Sequence, residues 1–242
     1  MDAQKPLQGR VVLVTGGGQG LGAAICNEVA TAGATVLVVD RSERADATVN
    51  SLVAQGAHAF ALRGDVGSES DVQRFMEEAR RRCGRLDAVV NNAGIDLTTG
   101  VDTLRVDDWD AIIRTNLRGP FLLSKFALPL LKEHGGDIVN VASTAAKRGW
   151  PNASAYHASK WGLLGLSYAL HAELRAHGVR VTAVIAGGMR TPFLLERFPD
   201  LDPRKLQDPG DVARAVRFAL TQPRESVIAE ITVLPVQETS WP

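Results

Sequence analysis

The most constraining feature of this chain is a cluster of glycines placed directly after a short apolar run. Val11–Thr15 leads without a break into Gly16-Gly17-Gly18-Gln19-Gly20-Leu21-Gly22, and residues 23–32 then show helix-like composition. Glycine is needed where a backbone turns tightly, approaches a pyrophosphate and lets a helix pack close to a sheet. The amino end of the following helix offers free amides and the positive end of its dipole to phosphate. Strand, glycines and helix in that order predict a nucleotide-binding end, with Gly16, Gln19, Gly20, Leu21 and Gly22 as the contacting residues.

Six further apolar runs follow, at Thr35–Asp40 and at residues 58–62, 86–91, 138–142, 180–185 and 228–234. They are short, rich in Val and Ile, and lack polar alternation, as suits strands covered on both faces. Between them lie stretches with helical apolar spacing, such as Val72, Phe75, Met76 and Ala79. Repeated strand-then-helix order implies right-handed crossovers and a parallel sheet with helices on both sides. The predicted fold is α/β, a Rossmann-type doubly wound sheet of about seven strands forming one domain over residues 1–242. Gly33, Gly84 and Gly178 stand where left-handed helix caps are expected, and Pro209 followed by Asp211 opens the last helix.

Composition removes other classes. The 242 residues carry 27 Lys+Arg against 27 Asp+Glu, so the basic excess of a polyanion binder is missing and nucleic acid is not an expected partner. No apolar run approaches the ~18 residues of a spanning helix, and residues 1–6 lack a signal-peptide layout, so a cytoplasmic protein without a membrane partner is expected. Cys26 and Cys83 form no metal or disulfide pattern, and the five histidines are scattered without ligand spacing. A metal is not expected.

Asp40 ends the second run about twenty residues beyond the glycine turn. A carboxylate there accepts hydrogen bonds from adenosine ribose hydroxyls and repels the extra phosphate of NADP, so the expected cofactor is NAD. Arg41 follows directly, and an arginine at that place can accommodate a 2′-phosphate, which keeps NADP as the alternative.

These motifs, read together, resemble the single-domain short-chain dehydrogenase/reductases. The glycine segment has their TGxxxGxG form, Asp65-Val66 resembles their adenine-contacting pair, and Asn91-Asn92-Ala93-Gly94 matches their NNAG segment. Asn116, Ser143 and the pair Tyr156/Lys160 match their catalytic set, with Ser143 thirteen residues before Tyr156 as the family pattern expects. The likeness runs from about Gly9 to Thr191 and is looser beyond. It implies Asp65, Val66, Asn92, Ala93, Gly94, Gly187, Met189 and Thr191 as further cofactor contacts.

The chemistry implied is hydride transfer between nicotinamide and a secondary alcohol or ketone. Spacing of i,i+4 puts Tyr156 and Lys160 on one helix face. A free tyrosine titrates near ~10, and a neighbouring ammonium is expected to lower that value. By resemblance Tyr156 is the acid/base, Lys160 also holds the nicotinamide ribose, Ser143 polarises the carbonyl, and Asn116 supports a helix distortion and a proton relay. Taken singly each residue has a bland reading, since Tyr/Lys pairs are common on exposed helices. His157, about 100° around the helix from Tyr156, is expected at a surface or interface.

Departures from the family bear on the pocket. Ala186 stands where a proline is usual before Gly187, which loosens that turn without deleting a side-chain contact. Residues 190–208 form a short expected lid, with Phe193, Leu194, Leu195, Phe198 and Leu201 among charges. Ile95, Thr144, Ala145, Trp150 and Met189 are expected walls, favouring an apolar carbonyl or alcohol, while Arg148 is read equally as a partner for a carboxylate or as a solvated charge. A homo-oligomer, tetramer or dimer, is implied by resemblance, and Trp241 is expected to pack on a neighbouring subunit. Two other readings stand beside the enzyme: a catalytically silent nucleotide-binding sensor, and an NAD-using dehydratase or epimerase. Retention of both Tyr156 and Lys160 counts against the first, and the glycine spacing against the second.

Overall fold

In a computed structural model describing residues 5–238, the seven apolar runs become strands. They are β1 (Val11–Thr15), β2 (Thr35–Asp40), β3 (Ala59–Arg63), β4 (Ala88–Asn91), β5 (Asp137–Val141), β6 (Arg180–Ala186) and β7 (Glu230–Val233). All pairings are parallel, and the sheet order is β3-β2-β1-β4-β5-β6-β7, the expected doubly wound α/β topology. The expectation for Trp241 lies outside the described residues.

Alternation along β1 shows why a continuous apolar run is required. Val12 and Val14 enter the core on one face with Ile25 and Val29 of α1 (Gly20–Thr31) and Val212 and Val216 of a carboxyl-terminal helix. Val11 and Leu13 enter the opposite core with Val72 and Phe75 of α3 (Glu69–Cys83) and Leu123 of α5 (Gly119–His134). With both faces covered, a polar residue on either would be buried without a partner. The remaining helices are α2 (Arg44–Ala54), α4 (Val106–Ile113), α6 (Ser154–Leu174), the single turn α7 (Pro192–Leu195) and α8 (Pro209–Leu220). Against an expected span of residues 211–220, α8 begins two residues earlier at Pro209, with the Asp208 side chain accepting from the Gly210 amide at 2.8 Å.

Gly84 closes α3 in the left-handed conformation, as expected. Gly33 also has a positive φ, 99°, but stands one place past the cap, which is Ala32 in the helical region. Between α4 and α5 the chain widens into a π-helical turn, Arg114–Arg118, which carries Asn116. This is the helix distortion that the resemblance implied.

The amino ends of the strands are tied by charge. Asp137 at the start of β5 receives Arg180 Nε at 2.6 Å and also Arg10, while Asp87 accepts from the Val11 amide at 2.8 Å and from Arg85. Arg180 reaches further, donating to the carbonyls of Gln222, Pro223 and Ser226. Among the described residues no helix is long and apolar enough to cross a membrane, and no His/Cys/Asp/Glu group has a metal-holding arrangement.

Candidate active site

Parallel strands all end on one edge, and there the loops after β1, β2, β4, β5 and β6 enclose a cavity of about 860 Å³. Gly16, Gln19, Gly20, Leu21 and Gly22 line its wall beneath α1. Gly16 has φ 62°, and a Cβ there would stand 2.9 Å from the Ala93 Cα; a Cβ on Gly22 would overlap the Gly16 carbonyl oxygen. Only glycine permits this approach of β1's turn to the segment after β4.

Asn92 and Thr15 fasten that approach. The Asn92 side chain donates to the Thr15 carbonyl at 2.9 Å and the Gly16 carbonyl at 3.3 Å, and the Thr15 hydroxyl accepts from the amides of Asn92 and Ala93. Asn92 therefore braces the glycine turn while lining the cavity beside Ala93 and Gly94. Thr15 does equal work and was not singled out by sequence, since it reads there as the end of a strand.

At the far end Asp40 accepts from the Gly18 amide at 3.0 Å and from the Ser42 amide and hydroxyl, each at 2.9 Å. A carboxylate has about four lone-pair positions, so acceptor capacity for a hydroxyl remains. Arg41, Arg44, Asp65 and Val66 line the same end. Gly187, Met189 and Thr191 line the opposite stretch, after β6. The side-chain-free turn, the amino end of α1 and the remaining acceptor capacity of Asp40 fit a dinucleotide laid along this edge.

Ser143, Tyr156 and Lys160 converge at the middle. Ser143 follows β5 and caps the 3₁₀ turn Thr144–Ala146, its hydroxyl accepting from the Ala145 amide at 3.2 Å beside the Tyr156 phenol. Lys160 is buried and donates from Nζ to the Val141 carbonyl at 2.9 Å. Its ammonium lies 5.6 Å from the centroid of the Tyr156 ring. Burial brings Lys160 down to about 8. For Tyr156 the direction is opposite to the lowering expected from Lys160: burial pushes the phenol up to about 12, with the Ser143 hydroxyl acting against it. The ammonium bonds a strand carbonyl and lies beside the ring.

Asn116 alone of the expected site residues does not line the cavity. It is fully buried behind it, accepting from the Ile95 amide and donating to the Ile95 carbonyl, each at 2.8 Å, and donating to the Ser159 hydroxyl at 3.1 Å. The π turn brings its amide against the segment after β4. His157 is half-buried rather than displayed: its Nε2 accepts from the Trp150 amide at 3.1 Å, so Nδ1 donates to the Ala145 carbonyl at 2.9 Å. It fixes the loop between β5 and α6.

Of the expected walls, Ile95, Thr144, Trp150, Met189, Phe193, Leu194, Phe198 and Leu201 line the cavity, whereas Ala145, Leu195 and Arg148 do not. Ala145 is drawn into the core beneath the 3₁₀ turn. Among the charged residues that the sequence did not mark, Asp96 and Arg197 also line it.

A sequence profile of the short chain dehydrogenase family matches residues 10–202. The chain belongs to the short-chain dehydrogenase/reductase family. Among relatives of this short-chain dehydrogenase, an uncharacterized oxidoreductase of Staphylococcus aureus (strain N315) is 33% identical over 231 residues, covering 95% of this chain and 99% of the relative. Another, from Bacillus subtilis (strain 168), is 33% identical over 78% of this chain and 70% of its own. Similar solved structures of short-chain dehydrogenases include a metagenomic short-chain oxidoreductase in complex with NADP, with TM-score 0.85, 33% identity and coverage of 96% and 99%. A levodione reductase superposes with TM-score 0.88 at 30% identity, covering 97% of this chain and 98% of its own. The chain is thus an oxidoreductase of this family, whose members bind a nicotinamide cofactor and act on small molecules.

Proposed function

We propose that this oxidoreductase transfers hydride between NAD(H) and a secondary alcohol or ketone of apolar character. The observation that carries the reading is the convergence of Ser143, the Tyr156 phenol and Lys160 in one cavity whose far end holds the Asp40 carboxylate. When bound, nicotinamide supplies or accepts the hydride.

This chain's own residues then hold and move the proton. Tyr156, pushed up to about 12, is protonated at neutral pH and stands ready to donate to a carbonyl oxygen as charge develops there. Ser143 shares that oxygen, donating a hydrogen bond. Lys160, brought down to about 8, exchanges protons near neutrality and places its charge beside the Tyr156 ring. Asn116 holds the π turn and the Ile95 backbone from which a relay to Lys160 starts. Residues 190–208 act as the short lid, and the walls of Ile95, Trp150, Phe193 and Leu194 favour an apolar or aromatic ketone. Exposed Phe121 on α5, with Trp161 and Tyr168 on α6, supports a homo-oligomer, a dimer or tetramer.

A second reading of the cofactor, NADP, is favoured by Arg41 and Arg44 at the ribose end and by the NADP complex of a similar structure. The deciding experiment follows NADH and NADPH absorbance with a panel of ketones and alcohols, for the native enzyme and Tyr156→Phe. Turnover with NADH that Tyr156→Phe abolishes is expected. Saturation by NADPH alone would overturn the cofactor assignment, and absence of turnover throughout would favour a nucleotide sensor.

A further inference from the structure

Asp96, two residues past Gly94, and Arg197, two residues past α7, meet across the cavity mouth with Nη1 to Oδ2 at 2.7 Å. The Asp96 side chain is only 5% exposed. The Arg197 guanidinium lies over two rings of its own segment, 4.8 Å from the Phe193 centroid and 5.1 Å from that of Phe198. Phe193 in turn stands 6.2 Å from the Tyr156 ring. One acidic group beside the cavity floor therefore holds an arginine that carries the aromatic roof.

This pair is poorly explained as a stabilising device. Asp96 Oδ1 and Arg197 Nε are both buried without a hydrogen-bond partner among the described residues. Buried ion pairs with unsatisfied atoms often contribute nothing net to stability. The groups around Asp96 point to the reaction instead: Arg197 faces it from the lid, His157 and Lys160 from α6, and the Leu97 amide from its own loop. Asp96 and Arg197 act oppositely on the Tyr156 phenol, the first raising and the second lowering its proton affinity.

We propose that Asp96 and Arg197 are paired positioning residues for the Tyr156 site, together seating Phe193 over the phenol and acting on it with opposed charges. This rests on Tyr156 as the acid/base. A structural latch alone would alter how firmly the roof sits; opposed charges would also move the reaction's pH dependence in two directions.

The test compares Asp96→Asn, Arg197→Gln and Arg197→Lys, using the ketone that the native enzyme reduces best. Each neutral variant should lower kcat/KM about tenfold. The alkaline limb of the pH profile, set by Lys160 and Tyr156 together, should move to lower pH in Asp96→Asn, whose charge raises both groups, and to higher pH in Arg197→Gln, whose charge lowers the phenol, by about half a unit or more, with Arg197→Lys close to native. Amide hydrogen exchange over residues 192–198 should quicken in both neutral variants and stay unchanged around β1. Limbs that stay put or move together, or unchanged exchange, would overturn the proposal. Full activity of Tyr156→Phe, or absence of any ketone turnover, would instead defeat the acid/base reading, and the exchange measurement would still decide whether the pair seats the roof.

Discussion

Lys160 and Val141 are joined by a buried hydrogen bond of 2.9 Å, from the ammonium to the last carbonyl of β5. The lysine is thereby held at the strand end from which Ser143 follows, and α6 is pinned to the sheet edge through its reacting face. Replacing it removes both a charge beside the Tyr156 ring and the partner of a buried carbonyl. Lys160→Met should lower kcat by roughly 100-fold or more, and Lys160→Arg should fail to restore it because the guanidinium is bulkier. Steady-state kinetics with circular dichroism to verify folding would show this.

The same substitution has a pH signature in stability. Lys160 titrates at about 8 in the folded chain against 10.5 for the ordinary lysine, so the unfolded state binds more protons between those values. Stability contributed at this position rises with pH across that window, because the penalty of the buried ammonium is relieved, by about 3 kcal/mol in all. Lys160→Met should lose this rise. Urea unfolding of both proteins at pH 7, 8.5 and 10 measures it.

On the proposed NAD reading, Asp40 selects the cofactor through its charge, held in place by its bonds to Gly18 and Ser42. Asp40→Ser should shift the ratio of kcat/KM for NADPH over NADH upward by about tenfold or more, a change of about 1.4 kcal/mol. Kinetics with each cofactor at a fixed ketone concentration would establish the ratio. An unchanged ratio would move the selectivity to Arg41 and Arg44.

Asn116 clamps the Ile95 backbone from the π turn by bonds at its amide and carbonyl. Asn116→Ala leaves both groups unpaired and should cost about 1–3 kcal/mol of stability together with at least a tenfold loss in kcat. Asn116→Asp, which keeps an acceptor for the Ile95 amide, should retain more stability than activity. Thermal melts beside kinetics separate the two.

Asp137 provides the contrasting case, buried at the sheet edge away from the cavity with Arg10 and Arg180. Asp137→Asn should destabilise by about 3–5 kcal/mol, since it strands buried cations, while KM for cofactor stays near native in the folded fraction. Denaturant midpoints and cofactor titration would test the separation.

The positions of the strands and the glycine turn were legible because they depend on local requirements: β-branched runs buried on both faces, and positions where no Cβ fits. Asp65, Ser143 and Tyr156 were legible because each belongs to a short segment with its own spacing. The regular fourth strand begins at Ala88, and Asp87 just before it already bonds both neighbours, its amide to the Val11 carbonyl and its carbonyl to the Asp137 amide, each at 2.9 Å. Asp96 and Arg197 were illegible because their meaning is a contact across the cavity between distant segments, and in sequence each is one more surface charge. The environment of Tyr156 was misread for a related reason: spacing brings Lys160 to its side of the helix, but Val141, on another element, takes the ammonium's bond.

The tethered amino ends of the strands divide the molecule into two halves with different tolerances. Arg180 alone binds a carboxylate and three carbonyls there, so the sheet is riveted where no chemistry takes place. At the other edge residues of the 95–98 and 192–205 segments line the cavity outside this network, so exchanging both for those of a relative should alter what the cavity admits while the rivets hold the frame.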